Sequence, residues 1–263
     1  SFSSFFGVSN VTKTYDVLNV AQYKELMDEM GSIQLPDGLK DETDWFKETY
    51  RTALQQNYQL SYSGGNDKTS YYVGGGFTKE DGILKVSYSE RSTFRANLHN
   101  QLRKWIRFTT NINSSHYKSN GVITGQGSNR AGVVPLVIAA PTYAKVWDEE
   151  NPNKYWRQFY GATLITPAEA MGRTEYNYGT TDRLIGTIGA ELTLAKDLTF
   201  SSTVTMDRRW TRDFSFLDPI RTSYGETQKG SATDTRADDR RMVYDNILNY
   251  NLKLGKHSLH FMG

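Results

Sequence analysis

The sequence predicts an all-β fold that forms a portion of an antiparallel transmembrane β-barrel. Apolar and polar side chains alternate along roughly nine runs, the pattern of strands with one apolar face. Tight and long connections alternate between these runs. Several runs span about 11–15 residues, longer than the usual strand of about 5–6 and sufficient for the about 9–11 residues that a tilted strand needs to cross a bilayer. The alternation alone is equally typical of a soluble sandwich.

The composition narrows the classes of protein that the chain could be. Of its 263 residues, 37% are hydrophobic, and the mean hydropathy of -0.62 is low for a chain that fills a large interior core. A net charge of +2 gives no indication of a nucleic-acid partner. The lack of cysteine excludes disulfides and thiolate metal sites. No apolar run reaches the about 18 residues of a transmembrane helix, so a membrane-spanning form is expected to be built from strands.

The predicted strands begin at the first residues. The run 1–10 places Phe2, Phe6 and Val8 on one face. The arms of the hairpin "NYQLSYSGGNDKTSYYVGGGF", 57–77, have one face that is aromatic or aliphatic and one that is polar or glycine. The further predicted strands, hairpin arms included, are 57–63, 69–78, 89–102, 106–116, 182–194, 198–209, 240–254 and 257–263.

Connection lengths favour the barrel over the sandwich. In an up-and-down sheet, strict alternation of tight and long connections places all tight turns on one rim, as in outer-membrane barrels with short periplasmic turns. Greek-key crossings of a sandwich would normally break this order. The tight turns are 64–67, 103–105, 195–197 and 255–256, and the long connections are 11–56, 79–88, 117–181 and 210–239.

Two long connections are predicted to carry structure of their own. In 11–56, Tyr23, Leu26 and Met30 recur at near-helical spacing and Gly31 follows as a C-cap, so a short helix is predicted. The connection 117–181 is rich in aromatic residues, which are predicted to contact a ligand or a lid protein, with loop packing as the alternative. The candidates are Trp147, Tyr155, Trp156, Tyr160, Tyr176 and Tyr178.

No catalytic residue, metal site or cofactor is predicted. His257 and His260 lie three apart on a predicted strand and therefore point to opposite faces. No hydrolase, zinc or phosphate-loop motif occurs. The chain is therefore not predicted to be an enzyme, and an outer-membrane barrel hydrolase is kept as a less favoured alternative. The glycines 74–76 indicate either a β-bulge or space for a group packed against the sheet.

The first part of the chain resembles a known family. The stretch "DWFKETYRTALQQNYQLSYSGGNDKTSYYVGGGFTKEDGILKVSYSERSTFRANLHNQLRKWIRFTTNINSS", 44–115, is similar to the early barrel of SusC-type TonB-dependent outer-membrane transporters. The elements that carry the resemblance, in the order of the family, are Asp44-Trp45, Arg51-Thr52-Ala53, Gln56-Asn57-Tyr58, S-x-SGGN at 61–66, "EDGI" at 80–83, Arg95-Ala96-Asn97-Leu98 and Trp105.

The resemblance implies a fold larger than this chain. The family has a barrel of about 22 strands, an N-terminal plug domain and a TonB-contacting segment. We therefore expect residues 1–263 to be the N-terminal part of such a barrel within a longer polypeptide, with short helical pieces in the extracellular loops. The plug and the remaining barrel are expected to lie outside these residues.

The resemblance also implies a function, which is TonB-dependent import of oligosaccharides or peptides across the bacterial outer membrane. Its implied partners are a SusD-like surface lipoprotein that serves as a lid, TonB, membrane lipid and the cargo, with a dimer of transporter–lid pairs as a further possibility. Polar side chains that alternate with the apolar ones are expected to face the lumen. They are Arg95, Arg107, Arg183, Glu191, Asp207, Arg241, Asp245 and Lys253.

The main alternative is a soluble β-sandwich or adhesin-like binding module. It predicts that Phe94, Leu98, Phe108 and Ile112 are buried in protein, whereas a barrel predicts that they face away from it. The exposure of these four side chains therefore separates the two folds.

Overall fold

The structure, a computed structural model, describes residues 1–31, 33–124, 132–160 and 165–263. These ranges form one nine-stranded sheet in which every strand pairs antiparallel with its neighbours in sequence. The strands are β1 Phe2–Ser9, β2 Ala53–Gly65, β3 Thr69–Asp81, β4 Tyr88–Arg103, β5 Ile106–Asn120, β6 Tyr178–Ala195, β7 Leu198–Leu217, β8 Ser231–Leu254 and β9 His257–Met262. The helices are α1 Val20–Met30, α2 Trp45–Thr49, α3 Val133–Ala139, α4 Pro167–Gly172 and α5 Ser223–Gln228.

The register sorts the side chains onto two faces, because successive residues of a strand point to opposite sides. One row of Cα partners on the apolar face runs through Tyr62, Val73, Ala96, Ile112, Gly186, Met206 and Met242 from β2 to β8. One row on the polar face runs through Ser61, Gly74, Arg95, Asn113, Ile185, Asp207 and Arg241.

The apolar face is uncovered, as expected for a barrel wall and not for a sandwich. Phe94 is 47% exposed, Leu98 42%, Phe108 37% and Ile112 38%. The described residues contain no second sheet that could cover these side chains. The sandwich's prediction of burial is therefore wrong for all four residues.

Tight and long connections alternate around the sheet, so the four tight turns share one rim. Short links join β2 to β3, β4 to β5, β6 to β7 and β8 to β9. Several strands run further than the alternation predicted, and the connection between β7 and β8 is 218–230 rather than 210–239. The reason is chemical: Arg208, Arg212 and Asp238 occupy the apolar-face positions of these strands beyond Met206 and Met242. The hydrophobic alternation therefore ends although backbone pairing continues.

The first long connection contains the predicted helix. The Asn19 side chain and Gln22 form a capping box at the start of α1, which satisfies backbone N–H groups that lack helical partners. Gly31 ends the helix with a φ of 59°, the left-handed conformation that glycine adopts without steric cost. None of the helices within the described ranges is long and apolar enough to cross a membrane.

The buried apolar core lies among the connections of the long-loop rim and not between layers of sheet. The three long connections that precede β6 all contribute to this core. Its residues extend from Val20 in α1 to Met171 in α4, and Leu84 comes from the connection between β3 and β4. Trp45 is 2% exposed and its Nε1 donates a hydrogen bond of 3.0 Å to the carbonyl oxygen of Pro141. We call this packed set of residues 20–31, 33–50, 82–87, 132–160 and 165–174 the loop assembly.

We expect Trp45→Ala to loosen the loop assembly, because it removes a buried indole and leaves the Pro141 carbonyl unpaired. The local free energy of unfolding should fall by about 3–5 kcal/mol. Native-state hydrogen exchange of the Thr43 amide, which donates to Thr142 across two connections, measures this in the full-length polypeptide. Trp105→Ala is the matched control, because Trp105 is 55% exposed near the opposite rim. Equal exchange in the two variants would contradict this role for Trp45.

Candidate functional site: the polar face and the loop assembly

The eight side chains predicted to face the lumen share one face of the sheet. The register pairs Arg95 with Asn113, Asn113 with Ile185 and Ile185 with Asp207, so β4 to β7 contribute neighbouring positions. All eight are exposed or half-buried and stand on the polar face. The full set is Arg95, Arg107, Arg183, Glu191, Asp207, Arg241, Asp245 and Lys253.

Ion pairs link several of these side chains across strands. Arg183 makes a two-point contact with Asp207, with Nε–Oδ1 at 2.9 Å and Nη2–Oδ2 at 2.6 Å. Arg107 lies 3.5 Å from Glu191, and Arg95 donates to Asn113 at 2.8 Å. These pairs fix planar guanidinium groups in defined directions.

Some of these charges on the polar face have no ion-pair partner. Among the described residues, Arg241, Asp245 and Lys253 have no ion pair within 4 Å. Arg241 stands directly opposite Asp207, whose two oxygens are taken by Arg183. The polar face therefore offers both paired and free charges to a group placed against it.

Two open cavities lie against the polar face. One of about 530 Å³ is lined by residues of β1 to β6, including Gly74, Gly76, Arg95 and Arg183. A second of about 350 Å³ lies over β6 to β8. Arg183 lines both, so the polar surface is continuous across the sheet.

The glycine run 74–76 is not a β-bulge, since pairing with β2 and β4 continues through it without a register shift. A Cβ on Gly74 would lie 2.6 Å from the hydroxyl oxygen of Tyr72. On the polar face, Gly74 therefore makes room for the ring of Tyr72, and the cavity above takes the remaining space.

The structure separates the six aromatic candidates of the third long connection. Tyr155 and Trp156 are 5% and 6% exposed and belong to the core of the loop assembly, which favours the packing alternative for both. Tyr160 packs against that core from outside. Trp147 and Tyr176 are 39% and 44% exposed. The remaining candidate, Tyr178, is on the apolar face of β6 with its ring stacked on Phe214.

Arg221, which sequence reasoning missed, organises the exposed aromatics. Its guanidinium lies 5.4 Å from the ring centre of Trp147 and 5.5 Å from that of Tyr155, and the two rings stack at 4.6 Å. It also donates to Glu175 and to the hydroxyl of Tyr176, both at 2.9 Å. Only the fold reveals this cluster, because Arg221 is 66 residues from Tyr155.

Two carboxylates tie α4 and α5 to their neighbours, and the sequence also gave no signal for them. Glu169 of α4 is fully buried and accepts from Arg173 at 2.9 Å and from the Ser223 amide at 2.8 Å. Hydrogen bonds from Lys154 and Arg157 lower the pKa of Glu226 in α5 to about 2. Burial raises the pKa of Tyr155 to about 12. The described ranges contain no group of three or more side chains that could hold a metal ion.

Comparison with known proteins identifies relatives of one kind. No family model matches the chain. The TonB-dependent receptor P3 of Formosa agariphila is 25% identical over 262 residues, covering 98% of this chain and 26% of that protein. The TonB-dependent receptor SusC of Bacteroides thetaiotaomicron is 26% identical over 165 residues, covering 62% of this chain and 16% of that protein. The chain thus spans about a quarter or less of the length of these curated relatives.

Solved structures show the same fold. The RagAB peptide transporter superposes with a TM-score of 0.75 at 19% identity, over 98% of this chain and 33% of that chain. The 'open-open' state of the RagAB peptide importer gives a TM-score of 0.76. These comparisons confirm the resemblance to SusC-type TonB-dependent transporters and the fold class, a portion of a large antiparallel β-barrel. The curated relatives are named as receptors and not as enzymes, in agreement with the prediction of no enzymatic activity.

We expect the stability of the loop assembly to fall between pH 10 and pH 12. The pKa of Tyr155 is 10.0 unperturbed and about 12 in the fold, so the stability from its neutral phenol is complete below pH 10 and is lost as the pH rises through about 12. The loss should approach about 3 kcal/mol. Denaturant unfolding followed by tryptophan fluorescence measures it, and Tyr155→Phe should flatten the profile. Tyr15→Phe, at a 69% exposed position, is the control; an unchanged profile in Tyr155→Phe would refute the assignment.

Proposed function

We propose that this chain is the N-terminal part of the barrel wall of a TonB-dependent importer in the bacterial outer membrane. The observation that carries the proposal is the uncovered apolar face of a nine-stranded meander, opposite a charged polar face. A lipid-facing exterior and a polar interior are the two requirements of a transmembrane barrel. The similarity to TonB-dependent receptors supports TonB as the source of energy for import.

The cargo in this proposal is an oligosaccharide or a peptide. The structural neighbours are titled a peptide transporter and a peptide importer, and the polar face carries charges of both signs that suit a polar solute or a plug domain. Lumen contacts are assigned to Arg95, Arg183 and Asp207 and the other charged residues of that face. In this proposal, passage of such a solute also requires a complete barrel, a plug and TonB.

A SusD-like lipoprotein is the proposed lid, and its contact is the loop assembly. The observation in favour is that Trp147 of the loop assembly and the adjoining Tyr176 remain exposed, whereas Tyr155, whose ring stacks on Trp147, is buried. Exposed aromatics held by a neighbouring guanidinium are typical of contact surfaces. A dimer of transporter–lid pairs is the proposed assembly.

Uptake of labelled cargo tests the importer. Cells that carry the full-length polypeptide should take up labelled oligosaccharide or peptide when TonB is present, and deletion of TonB should abolish this uptake. Trp147→Ala should weaken co-purification of the lipoprotein lid, while Tyr15→Phe should leave it unchanged. Uptake that persists without TonB would refute the proposed mechanism.

We expect Ile188→Arg to impair membrane insertion, because Ile188 is 61% exposed in the middle of the apolar face. An arginine at the bilayer midplane costs about 2–4 kcal/mol. The matched control is Thr187→Arg, one residue away on the polar face. The measurement is the fraction of full-length protein that folds into lipid vesicles, read by heat-modifiable migration. Equal insertion of the two variants, or a soluble wild-type protein, would defeat the barrel proposal.

A further inference from the structure

Toward the long-loop rim, charged side chains replace part of the apolar face, and on β7 they alternate with aromatic residues. Phe77 and Phe94 are exposed on β3 and β4, and on the same face Lys79 lies two residues and Glu90 four residues further toward the rim. The same change occurs on the strands up to β8. We call these charged apolar-face residues the collar: Lys79, Glu90, His116, Lys118, Asp182, Arg208, Arg212, Asp234, Arg236, Asp238 and Arg240.

The carboxylates of the collar are all engaged. Lys79 lies 2.9 Å from Glu90, His116 lies 2.7 Å from Asp182, and the remaining two acids accept from arginines of β7 and β8. Six lysine and arginine side chains stand against these four carboxylates and Asp81, a fifth carboxylate on the same face of β3, which lies 3.7 Å from Arg51. The collar therefore has a net positive charge at the edge of an apolar surface.

A cavity of about 390 Å³ opens in the collar over β3 to β5, beneath the loop assembly. Lys79, Asp81, Tyr88 and Glu90 line it from the strands. Its upper wall is fixed by Arg51, which donates to the carbonyl oxygens of Gly82 at 3.0 Å and Ser87 at 2.7 Å. Each of these strands has a paired neighbour on both sides, so the cavity is a feature of the interior of the sheet.

A second cation stands in the same row as the floor of the cavity. Lys118 is the Cα partner of Glu90, and its Nζ lies 5.2 Å from the ring centre of Tyr178. The carboxylate of Glu90 is already engaged by Lys79 at 2.9 Å. Lys118 therefore has no carboxylate within 4 Å among the described residues, and it is available to an anion above the aromatic ring.

We propose that this cavity binds the headgroup of an anionic membrane lipid that carries a phosphate and hydroxyl groups. Lys79 and Lys118 contact the phosphate, Asp81 accepts from a hydroxyl, and the acyl chains lie on Phe77 and Phe94. The charge, the adjoining apolar wall and the position at the end of the apolar face all fit one amphiphile. This inference rests on the proposed function, in which the apolar face is in lipid.

The test measures binding of phosphatidylglycerol to the detergent-solubilised full-length protein by native mass spectrometry. The variant Lys79→Gln with Lys118→Gln should weaken binding about 25-fold, at about fivefold for each cation near the membrane surface. Arg91→Gln is the matched control, because Arg91 follows Glu90 on the same strand but faces the other side. It should leave binding unchanged.

A second variant is expected to strengthen lipid binding, and misfolding would not produce that result. Glu90→Gln removes the carboxylate that competes for Lys79 and should strengthen binding, whereas a purely structural ion pair predicts weaker binding or none. Phosphatidylcholine should bind more weakly than phosphatidylglycerol. Equal binding by the lysine variant and wild type, or competition by inorganic phosphate as strong as by lipid, overturns the proposal. Failure of the wild type to insert into vesicles would instead overturn the barrel proposal and this inference together.

Discussion

Unbroken backbone pairing is the constraint on which this structure depends. A sheet with an uncovered apolar face has no second layer to hold its strands, so each strand from β2 to β8 is held by its two ladders. From β2 to β8, pairing extends over 11 residues or more in each ladder, with shifts only beside two tight turns. The need for unbroken pairing also explains the glycine run 74–76. Gly74 leaves space for the ring of Tyr72 because it has no side chain, and the ladder continues through it.

Exposed and buried apolar side chains occupy different parts of the molecule. Apolar side chains of the strands remain exposed, while the buried apolar side chains gather in the connections of one rim. The loop assembly is thus held by the same burial that holds a soluble domain, with Trp45 at its centre. With this arrangement, the strands can present apolar side chains to membrane lipid, while the packed connections form a binding surface at the rim.

Alternation and turn length were sufficient to predict the fold, the two faces and the helix that ends at Gly31. The hydrophobic alternation did not predict strand where the apolar face lacks apolar side chains. On β7 and β8 beyond Met206 and Met242, arginine–aspartate pairs replace apolar residues, so the sequence of these strand segments resembles that of a polar loop. The aromatic candidates could not be sorted by sequence, because the burial of Tyr155 depends on Arg221 and on segments far along the chain.

The long sequence separation of contacts in the loop assembly determines when it can form during folding. Asp41 contacts Thr142 across 101 residues, and Trp45 reaches Pro141 across 96. Bringing such distant segments together carries a large chain-closure entropy until the intervening strands stand in register. The hairpins therefore assemble before the rim, and until β5 has joined the growing sheet, Trp45 and the apolar side chains of α3 are exposed together. In this interval the unfolded protein exposes apolar side chains that later form the buried core of the rim.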